Sequence, residues 1–186
     1  MTIIINFVGA PSSGKTTLCS LLFGCLKLSG MSVEYVPEYA KQLVWTEQFE
    51  LLNNQHYVSK KQYDLFKSML GKVDIVVTDG SLAHGLYYNR YNQDNTSNVE
   101  KTEMQILKWM REFDNMFFFV ERQGFDYEQV GRVQTEKEAE HVNSTLQTIL
   151  KKHQFEYKNC VSSLDDLEDI KEIVCASVEH VKKKRV

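Results

Sequence analysis

The stretch Gly9-Ala10-Pro11-Ser12-Ser13-Gly14-Lys15-Thr16 fits GxxxxGK[ST], and it directly follows the apolar, β-branched run 3–8. With glycine at about 7% of residues, such a pattern arises by chance in well under ~1% of chains of this length. Its surroundings narrow the fold further. The run 3–8 reads as a strand buried on both faces, and 16–28 repeats its leucines at helical spacing until Gly30. A strand, a glycine-rich turn and a helix in that order make a phosphate-binding loop. The glycines let the backbone turn tightly, so that N–H groups point inward at phosphate oxygens. The helix N-terminus adds partial positive charge. In such a loop Lys15 bridges the β- and γ-phosphates, and the Thr16 hydroxyl ligates Mg²⁺. The expected ligand of residues 9–16 is therefore a nucleoside triphosphate with Mg²⁺.

Beyond the loop, strands and helices alternate. Residues 33–36 read as a short second strand ended by Pro37. The pattern over 38–70 is helical in two or three pieces, with a break near 52–54. Residues 74–78 form a third buried strand closed by Asp79-Gly80; 81–98 follow as a loop, in which the polar tract NQDNTSN reads as mobile. A helix over 99–113, a strand over 116–120, a polar segment 122–134 and a helix over 135–153 follow. The last of these opens on a capping box at Thr135 and Glu138. A strand over 155–161 and a helix over 164–181 complete the pattern. This alternation specifies a parallel, doubly wound α/β sheet in one domain spanning residues 1–186.

Composition removes other classes. The 186 residues are 42% hydrophobic and 25% charged, which excludes a disordered chain and supplies one sizeable core. The net charge of −3 weighs against avid duplex binding, although it allows a local basic groove. Cys19, Cys25, Cys160 and Cys175 show no CxxC spacing and read as reduced thiols. The apolar run near the N-terminus is too short for a signal peptide or a membrane span, so a cytoplasmic protein without membrane contact is expected.

The phosphate-binding loop alone does not choose among ATPase, GTPase and kinase. No NKxD sequence appears, which argues against a guanine-reading switch. Asp79, at the end of the third strand, is placed to hold a Mg²⁺-bound water or orient an acceptor. Glu38 lies just past the second strand, where α/β folds gather their ligands, and its carboxylate suits a proton acceptor for an attacking hydroxyl. Arg122 and Arg132 flank a glycine-bounded segment from which a cation can close on the triphosphate and stabilise the transferring phosphoryl group. Gln62 and Phe66, four residues apart on one helical face, offer an amide and a ring to the edge and face of a base. Tyr88, with Tyr87, Arg90 and Tyr91, can stack on a strand, line a nucleoside pocket or pack in the core.

The segments GAPSSGKTT, PEYAKQLVW, NQHYVSKKQ, VDIVVTDGS and GRVQTEKEAE, in that order, resemble the phage and bacterial AAA-type ATPase/kinase family akin to nicotinamide-riboside kinase domains. The chain is more distantly similar to deoxynucleoside and thymidylate kinases. The resemblance implies a P-loop kinase fold with a five-stranded parallel sheet and a short lid over about 122–134. It implies that Gly9, Gly14, Lys15, Thr16 and Thr17 bind ATP with Mg²⁺. It further implies that Glu38 engages the acceptor hydroxyl, that Asp79 and Ser81 form the acidic motif of the third strand, and that Arg132 is the lid arginine. Gly80 stands where nucleoside kinases often carry Arg, and Lys41 where riboside kinases carry Arg after EYA. Similar small phage kinases phosphorylate 5-hydroxymethyluridine within DNA, which adds single-stranded or base-flipped DNA to the possible partners.

Together these readings give a Mg²⁺-dependent ATP phosphotransferase acting on a nucleoside, a nucleotide or a modified base, working in the host cytoplasm if phage-encoded. The rival from another class is a nucleotide-binding module that hydrolyses ATP slowly.

Overall fold

The computed structural model describes residues 2–122 and 136–183. Strand β1 (Ile3–Val8) leads through the glycine-rich loop into helix α1 (Lys15–Leu28), followed by β2 (Val33–Val36). The helical stretch that comes next is in three pieces, α2 (Tyr39–Trp45), α3 (Phe49–Leu52) and α4 (Gln55–Met69). Asn54 caps α4, its side chain accepting the Tyr57 N–H, which places the break where the sequence predicted it. Then come β3 (Ile75–Thr78), α5 (Leu82–Tyr91), α6 (Val99–Arg111), β4 (Asp114–Glu121), α7 (Glu136–Lys152), β5 (Tyr157–Val161) and α8 (Leu164–Lys183).

The five strands form one parallel sheet in the order β2-β3-β1-β4-β5. β1 is the middle strand, its Ile3 in register with Ile75 on one side and Asp114 on the other. Side chains alternate across the strand, so the apolar run must be covered twice. Ile4 and Val8 meet residues of α4, α5, α6 and α7, among them Phe66, Leu86, Ile106 and Leu146. Ile3, Ile5 and Phe7 meet α1 and α8 through Leu18, Leu22, Ile170 and Val174. Helices on both faces give three layers, with the loop after β1 at the carboxyl edge of the sheet. No helix among the described residues is long and apolar enough to cross a membrane. All four cysteines are free, as expected.

One expectation is corrected. Residues 81–98 are expected as a loop, but 82–91 form the buried helix α5. Ser81 caps it, its hydroxyl accepting the Ala83 N–H at 3.3 Å. Gly85, a helix-weakening residue in sequence terms, sits where α5 approaches α4 so closely that a Cβ would come within 2.5 Å of Ser59 Oγ. The polar tract that follows is held by amides rather than left to solvent. Asn89 Nδ2 donates to Val99 O at 2.8 Å, Asn95 Nδ2 donates to Asn89 O at 2.6 Å, and the Thr96 N–H donates to Asn53 O at 2.9 Å.

Candidate active site

The loop 9–14 turns on glycine. Gly14 caps α1 at φ 90°, a left-handed conformation that disfavours any Cβ, and a Cβ there would also lie 2.5 Å from Ser162 Oγ. The Lys15 ammonium donates to Ala10 O at 2.6 Å, folded onto the loop that it closes. Two neighbouring helices hold the start of the loop. The Gly9 N–H donates to His84 Nε2 on α5 at 3.4 Å, and the Ala10 N–H donates to Asn143 Oδ1 on α7 at 3.3 Å.

The pairing of β3 with β1 brings Asp79 beneath the first turn of α1. The Thr16 hydroxyl donates to Asp79 Oδ2 at 2.6 Å, while the Tyr35 hydroxyl (3.1 Å) and the Glu38 N–H (3.2 Å) donate to Oδ1. Asp79 is only 2% exposed, so these donors stand in for water. Burial, and then the nearby Asp79 charge, push both the Tyr35 hydroxyl and the Cys19 thiol well above their ordinary values, so both remain protonated. Glu38 caps α2, and the Gln62 amide fixes that turn by accepting the Tyr39 N–H at 2.9 Å and donating to Pro37 O at 3.3 Å.

Around this loop opens a cavity of about 1150 Å³. It is lined by the loop, Thr17, Leu21 and the β5–α8 turn with Ser162 and Leu164, and α2 to α5 contribute Lys41, Phe49, Asn53, Gln55, Tyr88 and Tyr91. Glu38, Gly80, Ser81 and His84 line it as well. Of the residues singled out from the sequence, Gly9, Pro11, Ser12, Ser13, Gly14, Lys15, Thr16, Thr17, Glu38, Gln62, Ser81 and Tyr88 all line the cavity.

Others do not. Ala10 lies behind the loop, 3% exposed. Phe66 is packed edge-on against Phe113 in the core at 1% exposure, so it offers no ring to a base. Gln62 reaches the wall, but its amide is engaged with backbone. Arg90 is paired with Glu103 on α6, and neither Arg90 nor the half-buried Arg122 lines the cavity. Arg132 and the rest of the expected lid lie outside the described residues. Gly80 has no room for a larger residue, since a Cβ would meet Glu38 Cα at 2.6 Å and Gln62 Oε1 at 2.9 Å.

Tyr35, Asn143 and the Ser162–Ser163 turn were missed by the sequence reading. Only Tyr35 left a signal there, a polar-tipped aromatic in the strand that ends at the site. His84 is a buried helical residue at 7% exposure. Burial, and after it the positive charge of Lys15, push its pKa down to about 3. The unfolded chain therefore binds a proton below about pH 6.5 that the folded chain refuses, and stability falls as pH is lowered from there toward 3. His84 alone should make the protein about 2 kcal/mol less stable at pH 5 than at pH 7. Urea unfolding of wild type and His84→Gln at both values should show this slope flattened in the variant; equal slopes would remove His84 as its source.

The residues present fit a nucleoside triphosphate with a divalent cation. Ser13 Oγ and His84 Nδ1 are buried polar atoms without a hydrogen-bond partner among the described residues, glycines keep the cradle open, and Thr16 with Asp79 presents the hard oxygen donors that Mg²⁺ takes. A three-layer parallel sheet with this loop on its middle strand defines a P-loop NTPase-type protein. A family model described as an AAA domain matches residues 4–166, most of the chain, and the protein belongs to that AAA domain family. No curated protein matches the chain.

Proposed function

We propose that the protein is a Mg²⁺-dependent ATP phosphotransferase that moves the γ-phosphoryl group to an oxygen of a nucleoside- or nucleotide-type acceptor. The observation that carries this reading is the second half of the cavity. Hydrolysis requires room for water alone, yet the space continues past the loop into a chamber walled by α2, α4 and α5, with Glu38 lining it. Its walls mix apolar Val44, Phe49 and Leu52 with amides and hydroxyls, which suits a base and a sugar. Among the described lining residues the only cations are Lys15 and Lys41, set against Glu38 and Asp94.

In this reading the acceptor oxygen attacks the γ-phosphorus, its proton passes to the Glu38 carboxylate, and ADP leaves. Lys15 holds the β- and γ-phosphate oxygens. Mg²⁺ at Thr16 and Asp79 would neutralise charge on those oxygens. Arg132 retains the role of a closing cation. Glu38→Gln should cut transfer by about 10²-fold or more with little change in ATP affinity. Normal transfer by the variant would pass the role of base to Asp79.

A second reading takes a hydroxymethylated base in single-stranded or base-flipped DNA as the acceptor. It is favoured by Phe49 and Tyr91, which line the cavity while 48% and 41% exposed and so offer rings for stacking. Transfer of labelled γ-phosphate from ATP separates these readings. The acceptor panel comprises deoxynucleosides, their monophosphates, nicotinamide riboside, and DNA with and without 5-hydroxymethyluracil. Label on one class names the acceptor. Label only as free phosphate, at one rate whatever is added, overturns the phosphotransferase reading in favour of a slow ATPase module.

A further inference from the structure

The ring of His84 is half used. Its Nε2 accepts the Gly9 N–H, which in a neutral imidazole leaves the proton on Nδ1, and Nδ1 has no hydrogen-bond partner among the described residues. The side chain is more than nine-tenths buried, and it lines the cavity. A buried N–H donor without an acceptor weakens a fold, and a ligand oxygen that reaches it satisfies it. Ser13 repeats the pattern from the loop itself, with a buried hydroxyl that has no partner among the described residues.

Position says which oxygen. His84 is tied to Gly9, the residue that opens the loop, and it is near enough to Lys15 for that charge to act on it. Gly80, Ser81 and Glu38 line the same cavity. The ring thus stands beside the first residue of the loop, whereas Ser162 of the β5–α8 turn stands beside Gly14, the last. We propose that His84 Nδ1–H donates a hydrogen bond to an oxygen of the terminal phosphate of the bound triphosphate, so that the site distinguishes triphosphate from diphosphate. The inference rests on the triphosphate site of the phosphotransferase reading and holds for any acceptor. The ring stays neutral throughout and moves no proton: Nε2 orders the loop and Nδ1 holds the group to be transferred.

The test compares affinities for Mg²⁺ with the β,γ-imido analogue of ATP and for Mg²⁺ with ADP, by calorimetry, in wild type and His84→Gln. Glutamine keeps an oxygen for the Gly9 N–H. The analogue should bind roughly 10- to 100-fold more weakly to the variant, with ADP changed by less than about twofold. Equal losses for both ligands would reduce His84 to a structural tie, and no loss would remove it from the site; either overturns the inference. Should the variant not fold, wild type labelled with ¹⁵N-histidine decides. The Nδ1–H resonance should move downfield with the analogue and stay in place with ADP, and an unmoved resonance overturns the proposal. A wild type that hydrolyses ATP without transferring it, while His84→Gln loses analogue affinity selectively, would sink the phosphotransferase reading and leave this one standing.

Discussion

Lys15→Ala is expected to lower phosphoryl transfer by about 10³-fold or more while leaving the fold almost untouched. The Lys15 ammonium donates to Ala10 O within its own loop, and the three-layer packing lies below it. The charge matters only when phosphate oxygens face it, and more so as negative charge spreads over the transferring group. The checks are steady-state transfer of labelled γ-phosphate and a thermal melt run side by side. A variant that turns over normally would mean that the triphosphate does not sit at this loop. One that melts many degrees lower would mean that Lys15 helps build the site as well as work in it.

Asp79→Asn should be nearly as damaging, for a different reason. The carboxylate is buried and takes three donors, one hydroxyl on Oδ2 and a hydroxyl with a backbone N–H on Oδ1. An asparagine can keep its oxygen toward the Glu38 N–H, which cannot reverse its polarity. Its NH₂ then faces Thr16, where a divalent cation needs an anionic oxygen. Transfer should fall by about 10²- to 10³-fold, and the Mg²⁺ concentration for half-maximal rate should rise at least roughly tenfold. Stability should fall by about 1–3 kcal/mol from the mismatched donors. A magnesium titration and a urea melt measure the two effects separately. An unchanged magnesium requirement would take Asp79 out of the metal site and leave it as a structural link between β3, α1 and α2.

The sheet was legible because its strands are short apolar runs with both faces buried, a pattern local to each strand; 3–8 and 33–36 match their observed limits. The loop was legible because its chemistry demands glycine and lysine at fixed spacing. α5 was hidden for the opposite reason. Its glycine answers a contact with Ser59 on another helix, and its polar flank is satisfied by amides brought from Asn53 and Val99. Pairings of that kind exist only after the chain has folded. The cavity was half legible: Glu38 and Tyr88 line it, while Phe66 turned inward because its helical face packs on the sheet. His84 could not be read at all, since its meaning lies in a hydrogen bond to Gly9.

The central place of β1 carries a consequence for synthesis. A ribosome releases β1 before either neighbour, and its partners begin at Ile75 and Asp114. Until the segment around residue 120 has left the exit tunnel, the most apolar strand of the sheet has a free edge on at least one side. The nascent protein therefore carries a sticky strand through more than half of its translation, and a ribosome-bound holdase or α1 folding back early would shield it. Chains stalled between β3 and β4 should collect in the insoluble fraction, whereas those stalled after β4 should resist protease.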